Sequence, residues 1–197
     1  MLEYLIKKDI DIFLILNGFH NDIFDFIMWW ISNTIIWIPL YILIIYLIVK
    51  KHKQKGIIFI VLAGLLILLS DQGSLHLFKN VFHRLRPCHN PELEGLVHIV
   101  WGKCGGSYGF VSSHAANMFA VATYVFLILR KHYRYFTIGL LFWAALVSYS
   151  RIYLGVHYPA DVFFGALLGV VCGTITWHIA CFIQKKYNNF AMTKNLS

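Results

Sequence analysis

Three short segments of the 197-residue chain carry side chains suited to phosphate chemistry. Lys79 is followed by His83, Arg84, Arg86 and Pro87; Ser112, Ser113 and His114 are consecutive; Ser150 and Arg151 precede His157, Pro159 and Asp161. The nonbridging oxygens of a phosphate ester want fixed cations and hydrogen-bond donors, with Arg favoured for its planar bidentate fork. Lys79, Arg86 and Arg151 can supply the cations. Ser112 and Ser113 add hydroxyls and backbone N–H groups at a helix start, itself an anion site. Displacing the leaving group also takes a nucleophile and an acid, and an imidazole can be either near neutral pH.

The spacing around His157 assigns roles. Pro159 suits the first turn of a helix and biases Tyr158 away from helical angles. His157 is therefore expected just outside a helix, with Asp161 in its first two turns. A carboxylate four residues on can reach back to one ring nitrogen, fix the tautomer and stabilise the imidazolium, as in the base–orienter pair of hydrolase triads. Taken alone, the pair also reads as a capping acid beside an unrelated His. His83 and Arg84 read as interfacial anchors, because long cationic side chains snorkel.

The elements that must position these residues are membrane-spanning. Hydrophobic residues make up 59% of the chain and charged ones only 13%, against about 25% charged in a soluble domain. The runs 26–49, 56–78, 113–129, 135–150 and 162–183 are almost free of charge, and a span needs about 20 mostly apolar residues. They predict an all-α integral membrane helical bundle of five transmembrane helices, with Pro39 kinking the first. Residues 1–22 set Leu2, Leu5, Ile6, Ile10, Phe13 and Leu14 against Lys7, Lys8, Asp9 and Asp11. This pattern predicts an interfacial amphipathic helix, a charge-broken sixth span being the alternative. It lacks the small-residue cleavage site of a signal peptide.

The net charge of +8 is concentrated in knots between the apolar runs: Lys50, Lys51, Lys53 and Lys55, then Arg130, Lys131 and Arg134. No basic face persists along a helix, which argues against nucleic acid as a partner. If both knots are cytoplasmic, so is the tail after Lys186. Segments 79–112 and 151–161 then share the outer face with the amino-terminal helix, an orientation that Lys7 and Lys8 fit poorly. With neither linker nor internal repeat, residues 1–197 read as one domain.

Other features keep more than one reading. Asp71, inside an apolar span, is a functional acid or a hydrogen-bond hub. Cys88 and Cys104 bracket an outer loop and are either a disulfide or two free thiols. Gly165, Gly169 and Gly173 recur every fourth residue and permit close helix packing. Cys172 and Cys181 read as small core residues, and Trp29, Trp30, Trp37 and Trp101 as interfacial or span-lining aromatics.

Lys79, six residues, Arg86-Pro87; Ser112-Ser113-His114; Ser150-Arg151, five residues, His157, three residues, Asp161. This arrangement, spanning 79–161, resembles the three-part signature of the type-2 phosphatidic acid phosphatase family of integral membrane lipid phosphatases. The resemblance implies His157 as the nucleophile of a phosphohistidine, Asp161 as its support and His114 as the acid for the leaving oxygen. It implies Lys79, Arg86, Ser112, Ser113 and Arg151 as the phosphate clamp, and neither metal nor cofactor. The family's usual Pro-Ser-Gly-His reads Val111-Ser112-Ser113-His114 here, which tests whether the Gly position needs positive φ. The implied activity is hydrolysis of a lipid phosphate or diphosphate, with undecaprenyl diphosphate the first choice. Lipid A, phosphatidylglycerophosphate and phosphatidic acid are alternatives, and the implied location is the outer, periplasmic face of a bacterial cytoplasmic membrane. Partners would be the substrate and membrane lipids. The rival classes are a non-catalytic anionic-lipid binder or transporter, and a metal-dependent phosphatase.

Overall fold

In the computed structural model, the backbone is described for residues 1–194 and the side chains for residues 1–187. The chain forms α1 (Leu2–Gly18), α2 (Asp22–Ser32), α3 (Ile38–His52), α4 (Gly56–Gly73), α5 (Asn80–Phe82), α6 (Ser113–Leu129), α7 (Arg134–Tyr153) and α8 (Pro159–Lys194). An isolated bridge between Leu85 and Tyr108 is the one β pairing among the described residues. Thr34–Phe82, Arg134–Tyr153 and Pro159–Tyr187 are long and apolar enough to cross a membrane, and Ser113–Leu129 is a shorter apolar helix. Thr34–Phe82 turns back at Lys53–Lys55, where Gly56 packs against Ile48. The protein is an all-α integral membrane bundle whose exposed surface is rich in Ile, Leu, Val and Phe.

The expected helices over 113–129, 135–150 and 162–183 correspond to α6, α7 and α8. The expected span 26–49 is instead divided. Asn33 ends α2 by donating its backbone N–H to the Trp30 carbonyl at 3.0 Å, and its side chain accepts from Ile35 N at 3.0 Å. A 3-10 turn over Thr34–Trp37 follows, and Pro39 falls at the start of α3. Pro39 therefore opens a helix, where its missing N–H costs little, and does not kink one. The second span runs from α4 through a π-helical segment, Ser74–Lys79, into α5; such segments often mark functional sites.

The amphipathic α1 forms as expected, with one departure: Asp9, expected on the polar side, turns toward the bundle. Leu2, Leu5, Ile6, Ile12 and Ile15 are exposed, while Phe13 and Asn17 are buried and Asp9 is half-buried against the bundle. Residues 9, 13 and 17 lie four apart and so on one helix face. In a membrane protein the outward surface meets lipid, so an apolar stripe need not point inward. Asn17 ties α1 down: its Nδ2 donates to the Tyr153 carbonyl at 2.8 Å and its Oδ1 accepts from His98 N at 2.8 Å.

α6 is the central helix, packed by α4, α7 and α8, with Ala115, Ala116, Ala120, Ala122 and Tyr124 buried along it. A Cβ on Gly165 would lie 2.6 Å from the Ser112 carbonyl oxygen, and one on Gly173 would lie 2.7 Å from that of Ala120. Gly169 approaches the Ala116 carbonyl in the same register. The glycine stripe is thus the α6–α8 contact. At one end of the bundle Gln184 Nε2 donates to the Lys55 carbonyl at 3.3 Å, which brings the carboxyl-terminal part of α8 beside the first basic knot. The loops carrying the motifs meet at the opposite end.

Candidate active site

His157 sits in the turn between α7 and α8. Gly155 takes φ +76°, and a Cβ there would meet the His98 carbonyl oxygen at 2.5 Å, so the turn requires Gly. The Arg151 carbonyl accepts from both Val156 N and His157 N at 3.2 Å. α8 then starts at Pro159 and brings Asp161 back toward the imidazole. Asp161 Oδ2 lies 3.4 Å from His157 Nδ1 and accepts the Tyr158 N–H at 3.0 Å. In this geometry Nδ1 makes no hydrogen bond to the carboxylate, and it has no other partner among the described residues. Both residues are buried, His157 to 1% exposure and Asp161 to 0%. Burial, together with the charges of Arg86, Arg151 and Lys79, pushes the imidazole well below the usual histidine range. His157 is therefore neutral at neutral pH, with a nitrogen lone pair available.

The cations come from three elements. Lys79, at the end of the π-helical segment, donates through Nζ to Ser113 Oγ at 2.7 Å. Arg86 is fastened to the loop opposite, donating to the Tyr108 and Cys104 carbonyls at 3.3 Å each. Burial lowers its guanidinium from the usual range and Asp161 opposes the fall. Arg151, in the last turn of α7, donates through Nη1 to Ser32 Oγ of α2. Its Nε is buried without a partner among the described residues, a donor left for an anion.

The serines act at the start of α6. Ser112 caps the helix, accepting Ala115 N at 3.4 Å, and donates its own N–H to the Asp161 carbonyl at 2.9 Å. Ser113 opens the helix and is not among the residues with positive φ, so replacing the family's usual Gly costs the backbone nothing. Its hydroxyl takes up a new contact, lying 2.6 Å from Ser74 Oγ while accepting from Lys79. In this state both hydroxyls support the site, and the N–H groups of Ser113 and His114 have no carbonyl a turn earlier to bond. His114 lies within electrostatic reach of Arg151, His157, Arg86 and Lys79. The eight expected residues thus gather at one end of the bundle.

Four further residues, Ser32, Ser74, Arg84 and Asp9, take part in the site without having been expected there. Ser32 accepts from Arg151, and Ser74 holds the Ser113 hydroxyl that accepts from Lys79. Arg84, expected as a snorkelling anchor, instead bonds Asp161 Oδ1 at 2.9 Å and Asp9 Oδ2 at 2.7 Å. Its side chain is only 22% exposed; paired carboxylates hold it inward more strongly than headgroups would draw it out. The period-four spacing of residues 9, 13 and 17 was the one available hint of Asp9. Asp71 participates through its backbone, its carbonyl accepting from Ser74 Oγ at 2.8 Å.

Of the two readings for Cys88 and Cys104, the structure has the disulfide, which closes 16 residues of the loop that binds Arg86. His89 lies beside these two sulfurs, but the disulfide takes both of them from metal ligation. Reduction is expected to destabilise the protein by up to about 3 kcal/mol on the chain-entropy estimate and to raise KM by loosening Arg86. Thermal unfolding and kinetics with and without dithiothreitol test this; identical values in both would show that the bridge supports neither.

Residues 56–184 match the model of the PAP2 superfamily. Over 183 residues the chain is 37% identical to the lipid A 4'-phosphatase of Bacteroides thetaiotaomicron, covering 91% of this chain and 80% of that protein. It is 34% identical to the undecaprenyl-diphosphatase of Sulfolobus acidocaldarius, over 68% of this chain and 58% of the relative. Its fold is similar to the crystal structure of Aquifex aeolicus LpxE, with a TM-score of 0.61, 25% identity, and 85% and 93% of the two chains covered. The signature at the mouth of the helical frame and these likenesses agree: the chain belongs to the PAP2 superfamily and is an integral membrane lipid phosphatase of that type.

Proposed function

We propose that this protein hydrolyses a phosphate monoester of a lipid A-type glycolipid without a metal, through a phosphohistidine on His157, all within one domain. The observation that carries the mechanism is the buried His157–Asp161 pair, with Nδ1 and Oδ2 3.4 Å apart, beside Lys79, Arg86 and Arg151. With Nδ1 facing the carboxylate, Nε2 is the nucleophile. Its lone pair forms the N–P bond as the P–O bond to the sugar breaks, and His114 gives its proton to the departing oxygen. Water then attacks phosphorus, giving a proton to His114, as the Nε2–P bond breaks; inorganic phosphate leaves, and His157 is neutral and His114 protonated for the next turnover. The three cations and the α6 N–H groups hold the charge that builds on the equatorial oxygens.

The substrate assignment departs from undecaprenyl diphosphate, the first choice on sequence. Similarity to a lipid A 4'-phosphatase extends over 91% of the chain, against 68% for the undecaprenyl-diphosphatase. A cavity of about 420 Å³ between α3, α4 and α6, lined by Ile44, Ile48, Leu66, Met118 and Tyr124, reaches Asn117. Asn117 is one turn from His114, so an acyl chain lying there would leave its headgroup at the cations. The periplasmic face of a bacterial cytoplasmic membrane is supported by basic knots at the far end of the bundle and by a disulfide beside the site.

Phosphate release by detergent-solubilised protein in the presence of chelator is the test, using lipid A, undecaprenyl diphosphate, phosphatidylglycerophosphate and phosphatidic acid. Lipid A is expected to give the highest kcat/KM, with no loss on chelation. Undecaprenyl diphosphate ranking first would restore the sequence-based choice, and loss of activity with chelator would refute the metal-free mechanism. A folded sample that releases phosphate from no lipid would favour a binding or transport protein.

A further inference from the structure

Asp161 faces His157 through one oxygen only; the other is held by a chain of charges that begins on α1. The Arg84 guanidinium lies over the Tyr158 ring, 4.0 Å from its centre. One terminal nitrogen donates to Asp161 Oδ1 at 2.9 Å and the other to Asp9 Oδ2 at 2.7 Å. Asp9 Oδ1 accepts the Ala160 N–H at 2.8 Å, in the first turn of α8, where the helix dipole favours a carboxylate. The side chains of Asp9 and Arg84 are 12% and 22% exposed, so these charge-assisted bonds are weakly screened and directional.

We propose that Asp9 and Arg84 are positioning residues for the reaction. α1 fixes Arg84, Arg84 fixes Asp161 Oδ1, and Oδ2 is thereby left facing His157 Nδ1. The proposal rests on the reading of His157 and Asp161 given above. It makes the amino-terminal helix part of the active site and separates Arg84 from the phosphate clamp. Both terminal nitrogens of Arg84 are engaged by carboxylates and one face is covered by Tyr158, whereas Arg151 keeps an unpartnered Nε. A group that acts through Asp161 should change turnover more than substrate binding, and only while Asp161 is a carboxylate.

The experiment is a double-mutant cycle on full-length protein in detergent, with thermal unfolding to confirm folding. Arg84→Met and Asp9→Asn are made in the wild type and in an Asp161→Asn background. Misplacing a catalytic group by about 1 Å can cost roughly 10²-fold, so Arg84→Met is expected to lower kcat by about that factor, and Asp9→Asn by about tenfold. KM should stay within about twofold, Arg84→Lys should recover part of kcat, and in the Asp161→Asn background both losses should shrink to less than about twofold. Asp11→Asn on the same helix is the control, since among the described residues the ion pair Asp11 makes is with exposed Lys8 at 4.0 Å. Equal losses in both backgrounds would place Arg84 on the substrate and overturn the proposal, as would an unchanged kcat in folded Arg84→Met and Asp9→Asn proteins. A wild-type rate in Asp161→Asn would instead remove the reading beneath it, and the proposal with it.

Discussion

Replacing His157 by Ala is expected to lower turnover by about four to six orders of magnitude, the range for deleting a covalent nucleophile, while the protein remains folded. The reason is geometric as well as chemical. His157 is held by its backbone to the Arg151 carbonyl at 3.2 Å and is 1% exposed, so its ring is fixed in place before substrate arrives, and a water in the space left by Ala could not form the covalent intermediate. In the wild type, acid-labile phosphate should accumulate on the protein when lipid is mixed and rapidly quenched in alkali; His157→Ala should show none. The pH dependence has a definite sign. Burial and the charges of Arg86, Arg151 and Lys79 lower the proton affinity of His157, so it is protonated only well below its ordinary value of about 6.5. Protonation of His157 itself should therefore add no acid limb to kcat/KM of the free enzyme near that value. Titration of the His157 imidazole at or above about 6.5, followed by NMR in the free protein, would contradict a neutral buried nucleophile, and near-native turnover in folded His157→Ala would contradict its role.

What could be read without coordinates, and what could not, follows from the range of each interaction. Membrane spans are legible because a charge-free run has few alternatives to burial in lipid, and α6, α7 and α8 fall where the runs place them. The His157–Asp161 contact is local and follows from Pro159 and a four-residue spacing. The break at Asn33 was missed because one Asn in an apolar run is tolerated in a helix; its capping bonds to Trp30 and Ile35 depend on where the chain turns next. Arg84 and Asp9 were missed for a different reason. Sequence gives their charge but not which carboxylate, 75 or 77 residues away, each nitrogen of Arg84 will find. For α1 the amphipathic pattern is legible in the sequence, but not that Asp9 turns toward the bundle while Leu5 stays exposed.

Replacing Gly169 by Leu is expected to have the largest effect on stability. A Cβ at this position would press on the Ala116 carbonyl oxygen and lie 2.8 Å from Ala120 N and 3.0 Å from Phe119 Cβ. Two of these atoms belong to the backbone of α6 and cannot rotate away, so the helices must separate. Lipid tails are as apolar as the side chains they would replace, so close contact is what holds α6 to α8. Overpacking typically costs about 1–3 kcal/mol, occasionally more, and a clash with rigid backbone belongs at the upper end. The damage should reach the site, because Ser112 N donates to the Asp161 carbonyl at 2.9 Å across the same interface. Unfolding temperature and kcat should therefore fall together in Gly169→Leu. Gly64→Ala is the matched control: a Cβ there meets nothing within 4 Å, and Ala is favoured over Gly in a helix by about 1 kcal/mol. Gly64→Ala should leave both quantities at or above wild type. A Gly169→Leu protein that unfolds at the wild-type temperature would mean that α8 does not lie this close to α6, and the bond from Ser112 N to the Asp161 carbonyl across that interface would lose its support.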